Sequence, residues 1–286
     1  MSQIYLRKLN LIIGERDSSL ISLNEKYLVV VLQNENEYMH HIHVYDIRKD
    51  RWLCKHCITI SEQITAVLYL GDAYLILFDK EYEDGVIDET PNAYFWHPVK
   101  GFYQSFYAGR YINSIKIDND QNIWIGYDEM GIFSMIAGEL SERGFNRFGS
   151  NFQLKPVGVE KSSPIDHYYS SFVTESYIYL YYCVLGERIL KKIDLLDNVI
   201  EKRKIDLDLA AICQYQSNVY LFISDPFNYK INQVLKTNDF EEFLELNILD
   251  VQTNDRIVFT NVVTHNNLIA GLDENHHIYI GEIRED

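Results

Sequence analysis

Short apolar runs recur along the chain at a nearly constant interval. Their first residues are 47, 49, 54, 42 and 49 positions apart, with a mean of about 48. The six runs are Tyr27–Leu32, Tyr74–Phe78, Ile123–Tyr127, Tyr177–Tyr182, Val219–Ile223 and Leu268–Leu272. A fixed period of roughly 20 to 50 residues is typical of repeat architectures. The pattern therefore predicts six similar units that together account for almost the whole chain.

Each apolar run has the same neighbours within its unit. In the third unit an alternating segment, Ile112–Ile117, precedes the polar turn Asp118–Asn122, and the apolar run Ile123–Tyr127 follows. Asp and Asn favour such turns because their side chains bond nearby backbone groups. A third strand is predicted after each run, at His41–Ile47, Ala93–His97, Phe145–Phe148, Ile189–Leu195, Lys230–Lys236 and His277–Ile283. The first three strands of every unit are thus predicted from the pattern alone.

More polar segments, typical of outer strands, follow only five of the six units. They are Trp52–Ile60, Phe102–Ala108, Phe152–Val157, Val199–Leu207 and Phe240–Ile248. The N-terminal segment Gln3–Ile13 has the same character and precedes the first unit, so it is predicted to pair with the last one. Four-stranded sheets repeated around an axis form β-propellers.

The predicted fold class is therefore all-β. We expect a single-domain, six-bladed β-propeller over residues 1–286, with antiparallel blades and a ring closed by the N-terminal strand. The fourth unit is short, so five or seven blades remain open. A stack of two-sheet sandwiches, or two separate β-domains, is the alternative.

Composition supports strands and restricts the partners. The chain contains 22 Tyr and 14 Phe, which favour pleated, half-buried surfaces. A formal net charge of -16 opposes binding to nucleic acid or to an anionic membrane, so the expected partner is a basic protein or peptide. We expect a monomer without a membrane anchor. The N-terminus lacks the pattern of a signal peptide, and four cysteines (Cys54, Cys57, Cys183 and Cys213) are expected to be free thiols in the cytoplasm.

One segment resembles a known repeat. Residues 118–127, followed by Gly131–Phe133, are similar to the blades of bacterial propellers of the two-component-regulator sensor type, which read approximately Asp-x-x-Gly-Asn-x-Trp-Ile-Gly-Thr. Gln121 and Tyr127 replace the glycine and the threonine of that pattern, and Asn275–Gly281 is a second, partial match. The resemblance implies a propeller fold and a role in sensing a ligand or a protein.

Histidines and cysteines supply the candidates for metal chemistry. His41 and His43 fall on one face of a predicted strand, and His276 and His277 in the last unit could complete their ligand set. Cys54 and Cys57 form a CxxC pair, but residues three apart on a strand point to opposite faces, so two unrelated thiols are expected. We expect no cofactor, and no catalytic residue is predicted.

Acidic residues concentrate in the loops between second and third strands. These loops leave one face of a propeller, and the two longest are Asp79–Asn92 and Asp128–Gly144. Long loops are often functional. The residues predicted to bind a partner are Glu81, Tyr82, Glu83, Asp84, Asp88, Glu89, Asp128, Glu129, Met130 and Phe133. An acidic rim with apolar anchors suits a basic protein.

The expected function is a non-catalytic interaction module that binds a basic protein. A toxin inhibitor or immunity protein that masks a basic toxin, such as a nuclease, is one concrete form. Three alternatives stay open: a carbohydrate-active or other hydrolytic enzyme with channel-facing carboxylates, a small-ligand or metal sensor, and an acidic surface that serves only solubility.

Overall fold

A computed structural model provides the structure of the protein. It describes residues 3–11, 13, 17–34, 38–78, 89–133, 139–155, 165, 167–174, 176–196 and 198–284. The chain divides into two compact units. The smaller unit comprises Met1–Arg16, Phe172–Glu175 and Asp206–Asp286, and the larger comprises Asp17–Ser171 and Ser176–Ile205. The single domain over residues 1–286 stays a prediction.

The described residues form strands, with one short α-helix and one short 3₁₀ turn. The first strand, β1 (Gln3–Leu9), belongs to the smaller unit. Four antiparallel sheets of four strands each follow in simple chain order, and their residues belong to the larger unit except for Phe172 and Val173. These are β2 (Asp17–Leu23), β3 (Tyr27–Asn34), β4 (Met39–Asp46) and β5 (Arg51–Thr59); β6 (Ile64–Tyr69), β7 (Tyr74–Phe78), β8 (Ala93–His97) and β9 (Gly101–Phe106); β10 (Ile112–Ile117), β11 (Ile123–Tyr127), β12 (Phe145–Phe148) and β13 (Leu154–Lys155); and β14 (His167–Val173), β15 (Tyr177–Val184), β16 (Glu187–Asp194) and β17 (Val199–Lys204).

The helix α1 (Glu129–Ile132) and the 3₁₀ turn Leu140–Arg143 both lie between β11 and β12. The remaining strands belong to the smaller unit. They are β18 (Leu209–Tyr215), β19 (Asn218–Ser224), β20 (Ile231–Thr237), β21 (Leu244–Asp250), β22 (Phe259–His265), β23 (Leu268–Asp273) and β24 (Ile278–Glu282). With β1 they form one continuous sheet in the order β18-β19-β20-β21-β1-β24-β23-β22.

The N-terminal strand completes the group formed by the last three strands, as predicted. β1 pairs antiparallel with β24, with Arg7 opposite Ile280 and Leu9 opposite Ile278. The first half of β1 also pairs in parallel with β21, where Leu6 lies opposite Asp250. One N-terminal and three C-terminal strands therefore form a four-stranded group, which β1 also joins to β18–β21.

The strand positions follow the hydrophobic pattern closely. All residues of β7 and β11 are buried, which explains their uninterrupted apolar sequences. By contrast, β9 and β17 are mostly exposed, and β17 is correspondingly polar, whereas β9 exposes the aromatic side chains of Phe102 and Tyr103. The outer strand predicted at Phe152–Val157 is shorter, because Phe152 has a φ of 62° and β13 spans only Leu154–Lys155 among the described residues.

Neighbouring sheets of the larger unit pack face to face. Val31 and Val44 of the first sheet contact a cluster that includes Tyr74 and Ile76 of the second. Buried amides add specific links at one end of these sheets. The Gln33 side chain donates to the carbonyl of Ile64 at 3.0 Å and accepts from its backbone N–H at 3.1 Å. Since both polar ends of this buried amide are bonded, it fixes the register of one sheet against the next.

A repeated aspartate turn explains the sequence motif around Trp124. The carboxylate of Asp118 accepts from the backbone of Asn122 at 2.8 Å, from the Asn122 amide, and from Trp124 Nε1 at 2.8 Å. Asp273 makes the equivalent contacts with His277 and, at 3.5 Å, with the Tyr279 hydroxyl. The Asp118 turn joins β10 to β11, the first and second strands of the third sheet. The Asp273 turn joins β23 to β24, the second and third strands of the last group. The motif therefore encodes a local turn rather than a fixed position in the repeat.

Candidate functional site

The best-defined loop cluster lies at one end of the third sheet, where β11 ends and β10 begins. It consists of the connection from Tyr107 to Tyr111 and the described parts of the loop from Asp128 to Gly144. The backbone N–H of Asp128 donates to the carbonyl of Tyr111 at 3.0 Å, and that of Tyr127 donates to Gly144 at 2.9 Å. We call this cluster the third-sheet loop site.

A buried ion pair holds the site together. The Nε atom of Arg110 lies 3.4 Å from Oε2 of Glu139, and their side chains are only 3% and 1% exposed. The other carboxylate oxygen of Glu139 accepts from the Tyr107 hydroxyl at 2.6 Å and from the backbone of Leu140 at 3.0 Å. Arg110 Nε and Glu139 Oε2 attract each other by charge without a hydrogen bond between them, and the hydrogen bond from Tyr107 to the other carboxylate oxygen links the long loop to the preceding connection.

A second buried network supports the base of the same loop. The Tyr127 hydroxyl donates to the carbonyl of Ala108 at 2.6 Å and accepts from the amide of Asn146 at 3.0 Å. The same amide donates to the carbonyl of Leu140 at 2.8 Å. Both connections are therefore bonded to the end of the third sheet.

Helix α1 presents the predicted anchor residues. The Asp128 side chain caps the helix by accepting from the backbone of Gly131 at 3.1 Å. Gly131 is required there, because a Cβ would lie 2.9 Å from the carbonyl oxygen of Arg110. Met130 and Phe133 remain 63% and 57% exposed, beside the exposed Glu129. The site thus combines apolar side chains and negative charge on a supported loop.

The structure brings together only part of the predicted partner-binding set. Four members, Asp128, Glu129, Met130 and Phe133, lie on α1 or next to it. Glu89 is exposed at the end of the other long loop. The other predicted members, Glu81, Tyr82, Glu83, Asp84 and Asp88, fall outside the described residues. The sequence did not identify Arg110, Glu139 and Tyr107 as site residues. Its only indication of them was Arg110 itself, a single basic residue between two predicted strands.

The histidine candidates do not assemble into a metal site in the part of the chain that the structure describes. Over those residues, no group of three or more His, Cys, Asp or Glu side chains is placed to hold a metal ion. His41 and His43 lie on β4 of the larger unit, whereas His276 and His277 belong to the smaller one. His277 Nδ1 is 3.0 Å from Asp273 Oδ2, so this imidazole supports the aspartate turn.

The cysteines and the helices give two further observations. All four cysteines are free, with Cys57 exposed and the Cys54 sulfur 3.6 Å from the Tyr74 hydroxyl. Among the residues described, no helix is long and apolar enough to cross a membrane.

Burial of histidines in the first sheet predicts a loss of stability in acid. Burial, reinforced by the charges of Lys55 and His41, lowers the pKa of His43 to about 4, and burial also lowers the pKa values of His40 and His56. Below the ordinary histidine pKa of about 6.5, the unfolded chain binds protons that the folded chain does not. Their stabilising contribution is therefore complete above that pH and is lost as the pH falls from about 6.5 to 4.

We expect His43→Gln to reduce the loss of unfolding free energy between pH 7.5 and 4.5 by about 1–2 kcal/mol. This value allows for solvent screening around the partly exposed ring. The measurement is the free energy of unfolding in urea at pH 7.5, 6.0 and 4.5. The exposed His276→Gln variant controls for the loss of an imidazole. An unchanged slope in His43→Gln would contradict the assignment.

Comparisons with known proteins address the fold. No protein-family model and no curated protein sequence matches the chain. The structure is similar to hydrazine synthase from Kuenenia stuttgartiensis, with a TM-score of 0.53, 10% identity, and coverage of 89% of this chain and 73% of that chain. It is also similar to a chain of the mitotic checkpoint complex, with a TM-score of 0.51, 4% identity, and coverage of 95% and 76%.

Virginiamycin B lyase from Staphylococcus aureus, a β-propeller, is a further similar structure, with a TM-score of 0.49, 11% identity, and coverage of 98% and 99%. The β-propeller fold of the chain follows from its own strands, because the repeated four-stranded antiparallel sheets have the arrangement found in propeller blades. At these identities, the similarities concern the fold alone.

Proposed function

We propose that this β-propeller is a non-catalytic interaction module that binds a basic protein through the third-sheet loop site. The observation that carries the proposal is the pair of exposed side chains, Met130 and Phe133, on a loop held by the buried Arg110–Glu139 ion pair. The backbone of a supported loop loses little conformational freedom on binding, so the cost of ordering is limited to the side chains themselves. Such residues can therefore act as anchors at a protein interface.

Charge supplies the second part of the proposal. The chain has a net charge of -16, and Asp128 and Glu129 adjoin the apolar anchors. Long-range attraction accelerates the encounter with a basic partner, while desolvated apolar contacts slow its release. An inhibitor or immunity protein that masks a basic toxin, such as a nuclease, is the concrete form that we propose, acting as a monomer in the cytoplasm.

We further propose that the fold has six blades, the last completed by β1. The support is the four four-stranded sheets of the larger unit, together with the eight-stranded sheet of the smaller one, whose order β18-β19-β20-β21-β1-β24-β23-β22 contains strands for two further blades. The similarity of residues 118–127 to sensor-type propeller repeats is also consistent with binding rather than catalysis.

The proposal can be tested by separating charge from apolar contact. The partner is first captured from native lysate at 25 mM NaCl and identified, and its binding kinetics are then measured at 25 and 150 mM NaCl. A charge variant replaces five acidic residues of one loop, Glu81, Glu83, Asp84, Asp88 and Glu89, by the corresponding amides. An anchor variant is Met130→Ser with Phe133→Ser.

We expect the charge variant to lower the association rate by about 10-fold at low salt, because steering depends on charge. The anchor variant should raise the dissociation rate by about 10- to 100-fold. Val99→Ser with Leu196→Ser, which changes two other exposed apolar side chains, is the matched control. If the anchor variant releases the partner at the rate of the control, the third-sheet loop site does not bind the partner. If the charge variant associates at the rate of the control at 25 mM NaCl, the acidic loop does not steer the partner.

A further inference from the structure

A loop of the smaller unit exposes two aromatic side chains. The loop Asp225–Lys230 joins β19 to β20, and its Phe227 and Tyr229 side chains are 93% and 75% exposed. Within the part of the chain that the structure describes, neither ring packs against another aromatic ring. The rings therefore contribute little to the core of the smaller unit.

Hydrogen bonds close this loop at both ends. The backbone N–H of Asp225 donates to the carbonyl of Lys230 at 2.9 Å, and that of Tyr229 donates to the carbonyl of Asp225 at 2.8 Å. The Asp225 carboxylate also accepts from the backbone of Phe227 at 2.8 Å. Because its conformation is set in advance, the loop holds both rings at defined positions before any partner arrives.

The backbone of the loop is strained at one of the two rings. Tyr229 has a φ of 58°, a conformation that bulky residues rarely adopt. Phe152 has a similar φ of 62°, but its ring packs 4.4 Å from that of Phe95, between ring centroids. The strain at Phe152 is thus offset by packing, whereas the exposed ring of Tyr229 gains no comparable burial within the fold.

Negative charge surrounds the aromatic loop. The Lys230 ammonium lies 2.6 Å from Glu274, which places the loop after β23 beside it. Arg256 donates to the carbonyl of Asn232 at 2.5 Å, which places the loop after β21 nearby. Three acidic residues in these loops, Asp225, Asp255 and Glu274, and Asp273 at the end of β23 outnumber the two basic residues, Lys230 and Arg256. Both basic side chains are engaged by these contacts.

We propose that the loop Asp225–Lys230 binds arginine or lysine side chains of a basic partner, with Phe227 and Tyr229 stacking on the cations. The face of an aromatic ring attracts a cation, and arginine also stacks its planar guanidinium on such a ring. The surrounding carboxylates attract the same charge. Together, rings and carboxylates favour a basic segment over a neutral apolar one.

This inference rests on the proposed function for the basic character of the partner, but it uses a different unit of the chain. The probes are fluorescein-labelled nona-arginine and nona-lysine peptides, titrated against the full chain at 25 and 150 mM NaCl by fluorescence anisotropy. Phe227→Leu with Tyr229→Leu keeps apolar side chains and removes both rings. Phe102→Leu with Tyr103→Leu removes two exposed rings from β9 and is the matched control.

We expect the loop variant to bind nona-arginine about 5- to 10-fold more weakly than the wild type, the combined effect of two exposed cation–π contacts. The control and Tyr229→Phe, which retains the ring, should bind within about 2-fold of the wild type. Nona-lysine should show a smaller loss than nona-arginine, because only arginine stacks. Circular dichroism confirms that each variant is folded.

The outcomes separate this inference from the proposed function. If the loop variant binds nona-arginine as the wild type does, the inference is overturned and the third-sheet loop site remains. A different result is that the loop variant binds nona-arginine more weakly, while the amide variant of Glu81 to Glu89 binds both the peptide and the captured partner as the wild type does. In that case the proposed charge-driven function fails and the inference stands. If the wild type binds neither peptide at 25 mM NaCl, the inference is overturned, whereas the proposed function is decided by the kinetics of the captured partner.

Discussion

Deletion of residues 1–10 is expected to prevent the smaller unit from folding. β1 lies between two strands, parallel to β21 and antiparallel to β24, so its removal leaves unpaired backbone groups on both neighbours. Unpaired buried backbone groups cost free energy, and open strand edges promote aggregation. We expect the deleted chain to aggregate or to lose its cooperative unfolding transition in urea.

Two single substitutions in β1 test its pairing with β21 and β24 without removal of the strand. Leu6 is fully buried, and its backbone carbonyl accepts from Val251 at 2.9 Å, whereas the Tyr5 side chain is half exposed. Leu6→Ala should lower the free energy of unfolding by about 3 kcal/mol, because it removes buried methyl groups and leaves a cavity. Tyr5→Ala, one residue away on the same strand, should cost less than about 1 kcal/mol.

Addition of the missing strand provides a positive test. A synthetic peptide of residues 1–13 should restore a cooperative transition to the deleted chain, because a strand can be donated in trans to an open sheet. A peptide with Leu6→Asp is the control, since it would bury a charge. A deleted chain that unfolds at the same urea concentration as the wild type would show that β1 is dispensable.

Replacement of Glu139 by Gln is expected to have the second large effect. The substitution removes the carboxylate charge that faces Arg110 within the third-sheet loop site, where both side chains are almost completely buried. Removal of one partner of such a pair typically costs about 3–5 kcal/mol. We expect a loss of about 3 kcal/mol, since the amide oxygen of the introduced glutamine can still accept one of the hydrogen bonds that Glu139 accepts.

The cause of this loss can be identified with a double variant. Arg110→Met with Glu139→Gln also removes the buried positive charge and should recover part of the stability that Glu139→Gln alone loses. Binding of the captured partner should weaken in Glu139→Gln, because Met130 and Phe133 are no longer held in place. Stability equal to the wild type in Glu139→Gln, measured in urea, would show that the ion pair does not support the loop.

The strands could be predicted because their causes are local. β7, β8, β11 and β12 begin and end at the predicted residues, since alternation and apolar runs depend only on nearby side chains. Pairing of Gln3–Leu9 with the last strands was also predictable, because five outer strands for six units left one position unfilled. The aspartate turn at Asp118 is local as well, and it could be recognised from its sequence.

The candidate site was only partly predictable. Met130 and Phe133 were recognisable as apolar residues in a long polar loop, but the support beneath them was not. Arg110 and Glu139 are 29 positions apart and meet only after the chain has folded, with Tyr107 completing the contact. The residues that adjoin Arg110 and Glu139 in the sequence do not indicate that either side chain is buried. The predicted long loop also contains α1 and a 3₁₀ turn. Each has only four residues, which is too few for a helical period to be recognised in the sequence.

By itself, therefore, the sequence determined which segments become strands, how they repeat, and that the surface is strongly acidic. Strands and repeats follow from periodicity, which depends on a few neighbouring residues at a time. The acidic character follows from composition, which is summed over the whole chain. Only the tertiary structure decided which charges are buried, which aromatic residues stay exposed, and that burial lowers the pKa values of His40 and His43. Burial, pairing and desolvation depend on residues distant in sequence, and folding alone brings those residues together.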